Sequence, residues 1–121
     1  MSGFDVVING RDKESSSAKE ALELLSKITG ERRILEFDVA DREMTAEVLK
    51  EELNMYGGFY GVVLCAGVTK DAPFPALTGE DWDYILGTNL DGFFNVLRPL
   101  ILPMIQLRAG GRIVVLSLIH I

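Results

Sequence analysis

Tyr60-Gly61-Val62-Val63-Leu64-Cys65 is a short run with almost no polar side chain, bounded by Gly57-Gly58 before it and Ala66-Gly67 after it. A strand with one wet face alternates polar and apolar residues, and this one does not. It therefore predicts a strand covered on both faces, as parallel strands are when helices lie on either side. We read it as the central strand. Phe4-Asp5-Val6-Val7-Ile8-Asn9, closed by Gly10, predicts a second strand, and Arg33-Ile34-Leu35-Glu36-Phe37 and Arg112-Ile113-Val114-Val115-Leu116 predict two more.

Helical patterns fill the intervals. Ser15 to Ser17 offer N-caps, Ala18, Ala21, Leu22, Leu25 and Ile28 recur at helical spacing, and Gly30 is a stop signal. Asp41 can cap a second helix striped by Met44, Val48, Leu49, Leu53 and Tyr56 and ended by Gly57-Gly58. Thr78-Gly79-Glu80-Asp81 opens like a capping box, and the apolar pattern that starts at Trp82 runs past Asn89 to Leu107. Pro99 and Pro103 predict a bend or an early end there, because each removes a backbone donor and crowds the preceding turn. Strands alternating with helices predict an α/β fold, a doubly wound parallel sheet of about four strands with right-handed crossovers. A flavodoxin-like domain has the same alternation, so the subtype rests on motifs.

With 121 residues, 48% of them hydrophobic, the chain suits one domain with a real core. A net charge of −6 argues against binding a phosphate backbone, so no nucleic-acid partner is expected. The most apolar stretch, residues 92–107, is interrupted by Arg98, Pro99 and Pro103 and falls short of the roughly 20 residues a bilayer demands. No membrane span is expected. The single cysteine, Cys65, has no partner for an internal disulfide, and no charged start leads into an apolar signal segment, which predicts a cytoplasmic protein. No metal site is expected.

Leu64-Cys65-Ala66-Gly67, followed 22 residues later (67 to 89) by Asn89 within Thr88-Asn89-Leu90-Asp91-Gly92, resembles the middle of a short-chain dehydrogenase/reductase. The resemblance covers residues 4–117 and is strongest from Gly61 to Ser117. Val68-Thr69-Lys70-Asp71, Trp82 and Gly111-Arg112-Ile113-Val114 make it most similar to the bacterial reductases of 3-oxoacyl groups on acyl carrier protein. That resemblance implies a partial Rossmann-type sheet, NADPH as cofactor and a fatty-acid biosynthetic role. It also implies hydride transfer to a 3-oxoacyl thioester carried by acyl carrier protein, and a homo-oligomer joined through the helix from Trp82 to Leu107.

Site residues follow from the same resemblance. Arg11, just after the strand ending at Asn9, is positioned to pair with a ribose 2′-phosphate, whereas an acidic residue there would favour NAD; a solvated turn arginine beside Asp12 is the plain alternative. Asp38 and Val39 fall where the family holds the adenine ring, Asp as acceptor and Val as apolar wall; capping of the next helix is the other use of Asp. Cys65, Ala66 and Gly67 border the nicotinamide ribose, their small side chains letting the backbone come close. Cys65 departs from the family's usual Asn. It reads as a small apolar filler, with a catalytic thiol as the bolder alternative. Asn89 is a mediocre helix former in an apolar helix, which favours function. The resemblance gives it a place in the catalytic proton relay, where the matching Asn interrupts the helix, and the rival reading has it bonding a neighbouring loop or strand.

Two family features are expected outside these residues. The glycine-rich phosphate turn would precede Met1, since Gly57-Gly58-Phe59-Tyr60-Gly61 leads into a strand instead of following one. The Tyr-x-x-x-Lys pair would follow Ile121, and Ser117 stands one position before the place of the catalytic Ser, which Leu118 occupies. Leu116-Ser117-Leu118-Ile119-His120-Ile121 is what the transposon-end sequencing adapter CTG TCT CTT ATA CAC ATC encodes. Residues 1–115 are thus expected as a partial dinucleotide-binding Rossmann domain and 116–121 as a non-native tail, with His120 idle. The chain as given is expected to be an inactive fragment. A non-catalytic α/β binding or assembly subunit is the alternative, as is a short-chain dehydrogenase acting on another alcohol or ketone.

Overall fold

The computed structural model describes residues 4–27 and 30–117 and divides by packing into two units that meet in sequence between Asp38 and Val39. In the first unit β1 (Val6–Gly10) and β2 (Arg32–Glu36) pair in parallel, with Val6 opposite Arg32 and Gly10 opposite Glu36. Helix α1 (Ser16–Leu25) connects them, its N-terminus capped by the Ser15 hydroxyl, which accepts from Ala18 N at 3.2 Å. The predicted Ile28 of that helix lies outside the described residues, and the helix is over by Ser26. Asn9 staples the carboxyl end of the pair: its Nδ2 donates to the Leu35 and Phe37 carbonyls at 3.2 and 2.9 Å. Phe37 is buried.

The second unit begins with α2 (Arg42–Tyr56), whose N-terminus is capped by the Asp41 carboxylate accepting from Met44 N. Gly57 ends it at a φ of 84°, a conformation that costs other residues energy, while its N–H still reaches the Leu53 carbonyl. The buried positions of α2 are Thr45, Leu49 and Glu52, so the predicted stripe was rotated: Met44 and Tyr56 are exposed. The partner decides the face. Helix α4 (Gly92–Leu107) lies along α2, and it covers the side that carries 45, 49 and 52.

Strands β3 (Gly61–Leu64) and β4 (Arg112–Val115) form a second parallel pair, Gly61 opposite Arg112 and Leu64 opposite Val115. Only Val62 of the two is buried; Val63 is 62% exposed and all of β4 is exposed. The expectation of two covered faces is therefore met on one face only: α4 packs on β3, Val62 is buried and Val63 is left exposed. Burying Leu49, Val62, Leu100 and Met104 supplies this unit's core, each contributing on the order of 1.5–3 kcal/mol.

Helix α3 (Gly79–Leu86) starts at the predicted capping box, Asp81 N donating to Thr78 Oγ1 at 3.0 Å and Thr78 N to Asp81 Oδ2 at 3.5 Å. A π-helical turn, Gly87–Asp91, then joins α3 to α4, with Gly92 N bonded to the Gly87 carbonyl five residues back. Pro99 and Pro103 do not end α4, which runs to Leu107 and stops at Arg108 in left-handed backbone (φ 52°). The interruption falls at Asn89 instead, and docking on α2 and β3 holds the proline-containing turns helical. Among the described residues no helix is long and apolar enough to cross a membrane, and no cluster of His, Cys, Asp and Glu is arranged to hold a metal. Of the expected tail, residues 118–121 lie outside the described residues.

Candidate functional site

Parallel strands put their carboxyl ends on one side, and that is where open α/β sheets bind ligands. In the first unit this end carries Arg11, directly after β1, and Asp38, two residues after β2. Arg11 is exposed and takes part in no ion pair or hydrogen bond among the described residues, so its guanidinium is free to meet an anion. Asp38 is half-buried and already engaged by a neighbour. Asn9 and the Phe37 N–H, which donates to the Gly10 carbonyl at 3.1 Å, tie the two strand ends together, so Arg11 and Asp38 start from one braced edge.

In the second unit the carboxyl ends of β3 and β4 lie side by side, the Leu116 N–H still donating to the Leu64 carbonyl at 2.9 Å. Cys65, Ala66 and Gly67 follow β3, and all are exposed. Cys65 is therefore not a core filler: β3 stops at Leu64, and the thiol stands in the turn, free. No histidine lies among the described residues to activate it. Ser117 is exposed at the matching point beyond β4.

Asn89 closes onto this turn. Its Oδ1 accepts from Val68 N at 2.8 Å and its Nδ2 donates to the Val68 carbonyl at 2.9 Å, so one side chain satisfies both main-chain groups of the residue after Gly67. The side chain is exposed, not buried, and its contact is the loop bond that the rival sequence reading named. The helix interruption implied by the resemblance is present in the main chain, as the π-helical turn. Lys70 fastens the loop a second time, 3.9 Å from Asp81 and 5.8 Å from the centre of the Tyr84 ring, a weak surface tie.

Val39 is buried, and four residues explain its surroundings, three of which, Asn95, Arg42 and Phe94, play no part in the motifs read from the sequence. Asn95, 3% exposed, donates from Nδ2 to the Val39 carbonyl at 2.8 Å. Arg42 Nε donates to Asn95 Oδ1 at 3.0 Å while its guanidinium lies 5.5 Å from the Phe94 ring centre. Gly92 faces Val39 so closely that a Cβ there would stand 2.7 Å from Val39 Cγ2. The signal was available: Asn95, like Asn89, is a polar residue in an apolar helix.

The sequence pattern of the short chain dehydrogenase family matches residues 1–119. The chain belongs to that family. A 3-oxoacyl-[acyl-carrier-protein] reductase of Aggregatibacter actinomycetemcomitans is 44% identical over 97% of this chain and 48% of the relative. The crystal structure of a 3-ketoacyl-ACP reductase from Sinorhizobium meliloti matches with a TM-score of 0.80 and 29% identity, over 95% of this chain and 44% of that one. A gluconate 5-dehydrogenase from Burkholderia cenocepacia, solved with NADP and tartrate, matches with a TM-score of 0.79 and 30% identity over 93% of this chain and 43% of that one. The chain thus spans about half the length of the relatives it matches.

Proposed function

We propose that this chain supplies the cofactor-facing part of an NADPH-dependent 3-oxoacyl-[acyl-carrier-protein] reductase, with residues 1–115 as part of its dinucleotide-binding domain. The observation that carries the reading is the Cys65–Val68 turn clipped by Asn89 at a π-helical turn, in a chain 44% identical to a reductase of that name. Arg11 pairs with the 2′-phosphate, Asp38 accepts from the adenine amine, Val39 walls the ring, and Cys65, Ala66 and Gly67 lie along the nicotinamide ribose. Taken unit by unit, the side chains have the chemistry such a group needs: in the first an unpaired guanidinium and a half-buried carboxylate, in the second an exposed turn of small residues. When bound, NADPH supplies the hydride that reduces the 3-carbonyl carbon of the thioester. Asn89 holds the ribose turn in place and sets a break in the helical ladder, where a displaced carbonyl can hold a relay water. Fatty-acid synthesis in the cytoplasm is the setting that fits this substrate.

The test uses residues 4–117 carried within the Aggregatibacter relative in place of the segment they match. This chimaera is expected to reduce acetoacetyl thioesters and to prefer NADPH to NADH. Arg11→Ala is expected to narrow that preference about 10- to 150-fold, the equivalent of one charge-assisted pair of roughly 1.5–3 kcal/mol. Steady-state kinetics with both cofactors checks it, and equal use of NADH and NADPH before mutation would refute the role of Arg11.

A second copy of the chain is the proposed partner. Phe94, Arg98, Leu102 and Ile105 form an outward stripe on α4 at spacings of four, four and three, with Leu102 and Ile105 58% and 63% exposed. A stripe of that kind is better covered than wet. Light scattering of the chimaera is expected to give an oligomer that Leu102→Glu with Ile105→Glu dissociates. A monomeric parent would remove α4 as the interface.

A further inference from the structure

We infer that Asn95 is a positioning residue for the adenine end of the cofactor site, acting through Val39 and separately from Asn89. The inference rests on the proposed cofactor reading, because Val39 matters to binding only if it walls the adenine. Its geometry is independent of that reading. The Val39 carbonyl would be a buried acceptor without a partner, and Asn95 Nδ2 meets it at 2.8 Å. Arg42 fixes which way the amide points: with Nε donating to Oδ1, only the NH₂ group is left to face Val39. Phe94 in turn holds the Arg42 guanidinium against its ring. On the side-chain side, Gly92 lets α4 approach until only a hydrogen fits between its Cα and Val39 Cγ2.

Val39 is therefore gripped at its carbonyl by Asn95 and at its side chain by Gly92, three positions apart on the inward face of one helix. The same helical run carries Asn89, three residues before Gly92, clipped to Val68. One rigid element thus locates Val39 and the turn after Gly67 at once. Small displacements of a binding wall weaken binding without removing any ligand contact, which is how a group one step removed controls affinity.

Asn95→Leu, which leaves the carbonyl unpaired, and Gly92→Ala, which pushes Val39, are made in the chimaera beside Val39→Asp and Asn89→Ala. The probe is adenosine 2′,5′-bisphosphate, the adenine half alone, as a competitive inhibitor against NADPH. Its inhibition is expected to weaken about tenfold in Asn95→Leu and Gly92→Ala, with KM for NADPH rising in step and kcat falling less than about twofold. Asn89→Ala is expected to leave inhibition by this probe as it was. If Asn95→Leu does not fold, Asn95→Ser is read in its place. Unchanged inhibition in both the Asn95 and Gly92 variants, with Val39→Asp still weakening it, overturns the role of Asn95 and leaves the cofactor reading standing. Insensitivity of Val39→Asp as well overturns both. A parallel loss of kcat and affinity with a lowered melting temperature marks Asn95 as general packing and also overturns the inference.

Discussion

The 121-residue polypeptide on its own is expected to oxidise no NADPH with an acetoacetyl thioester above a protein-free blank, a loss of more than about 10⁴-fold against the chimaera. Reduction of a ketone needs a proton for the oxygen as well as a hydride for the carbon, and the family's donor is a Tyr backed by a Lys four residues later. Of the three tyrosines, Tyr56 is followed at that spacing by Tyr60, Tyr60 by Leu64 and Tyr84 by Thr88. Lys70 does come near Tyr84, but it stands over the ring face and pairs with Asp81, which is a contact of charge with π-system and not an acid backed by an amine. Groups that act as a unit leave little rate when the unit is incomplete. Spectrophotometry at 340 nm on material purified from a host lacking competing reductase is the measurement, and clear turnover would mean that another residue donates the proton.

What could be read from the residues, and what could not, divides along a physical line. Local signals were legible: Ser15, Asp41 and Thr78 cap their helices, and Gly57 stops α2, because each of these effects is settled within four residues of chain. The parallel strands were legible from apolar, β-branched runs. The rotation of α2 was not, since Thr45 and Glu52 are buried by α4 rather than by their own hydropathy. The prolines misled for a related reason. Pro99 and Pro103 carry a local penalty, yet α4 is held by α2 and β3, and the helix yields at Gly87–Asp91 instead. At the site, Asn89 drew attention as a polar residue in an apolar stretch, and the same argument applied to Asn95 would have found the Val39 clamp. Its partner is a main-chain carbonyl 56 residues away, and no residue pattern encodes which carbonyl that will be.

Asn89→Ala in the chimaera is expected to lower kcat about a hundredfold while changing the Kd for NADPH less than about threefold. The wild-type side chain makes two hydrogen bonds to Val68, one in each direction, and alanine makes neither. Both Val68 groups are near solvent and can rebind water, so the cost to stability is about 1–2 kcal/mol and the fold survives. The cost to chemistry is larger because the turn from Cys65 to Gly67 loses its fixed distance from the π-helical turn. A displacement of the order of 1 Å between reacting groups is enough for a hundredfold loss. Asn89→Asp separates the two bonds: a carboxylate still accepts from Val68 N but repels the Val68 carbonyl, so a loss in kcat between those of wild type and alanine is expected. Single-turnover kinetics with fluorescence titration of NADPH distinguishes the outcomes. Unchanged turnover in Asn89→Ala would reduce the clip to a loop fastening, and an equal loss in Kd would place Asn89 with the dinucleotide instead of the proton relay.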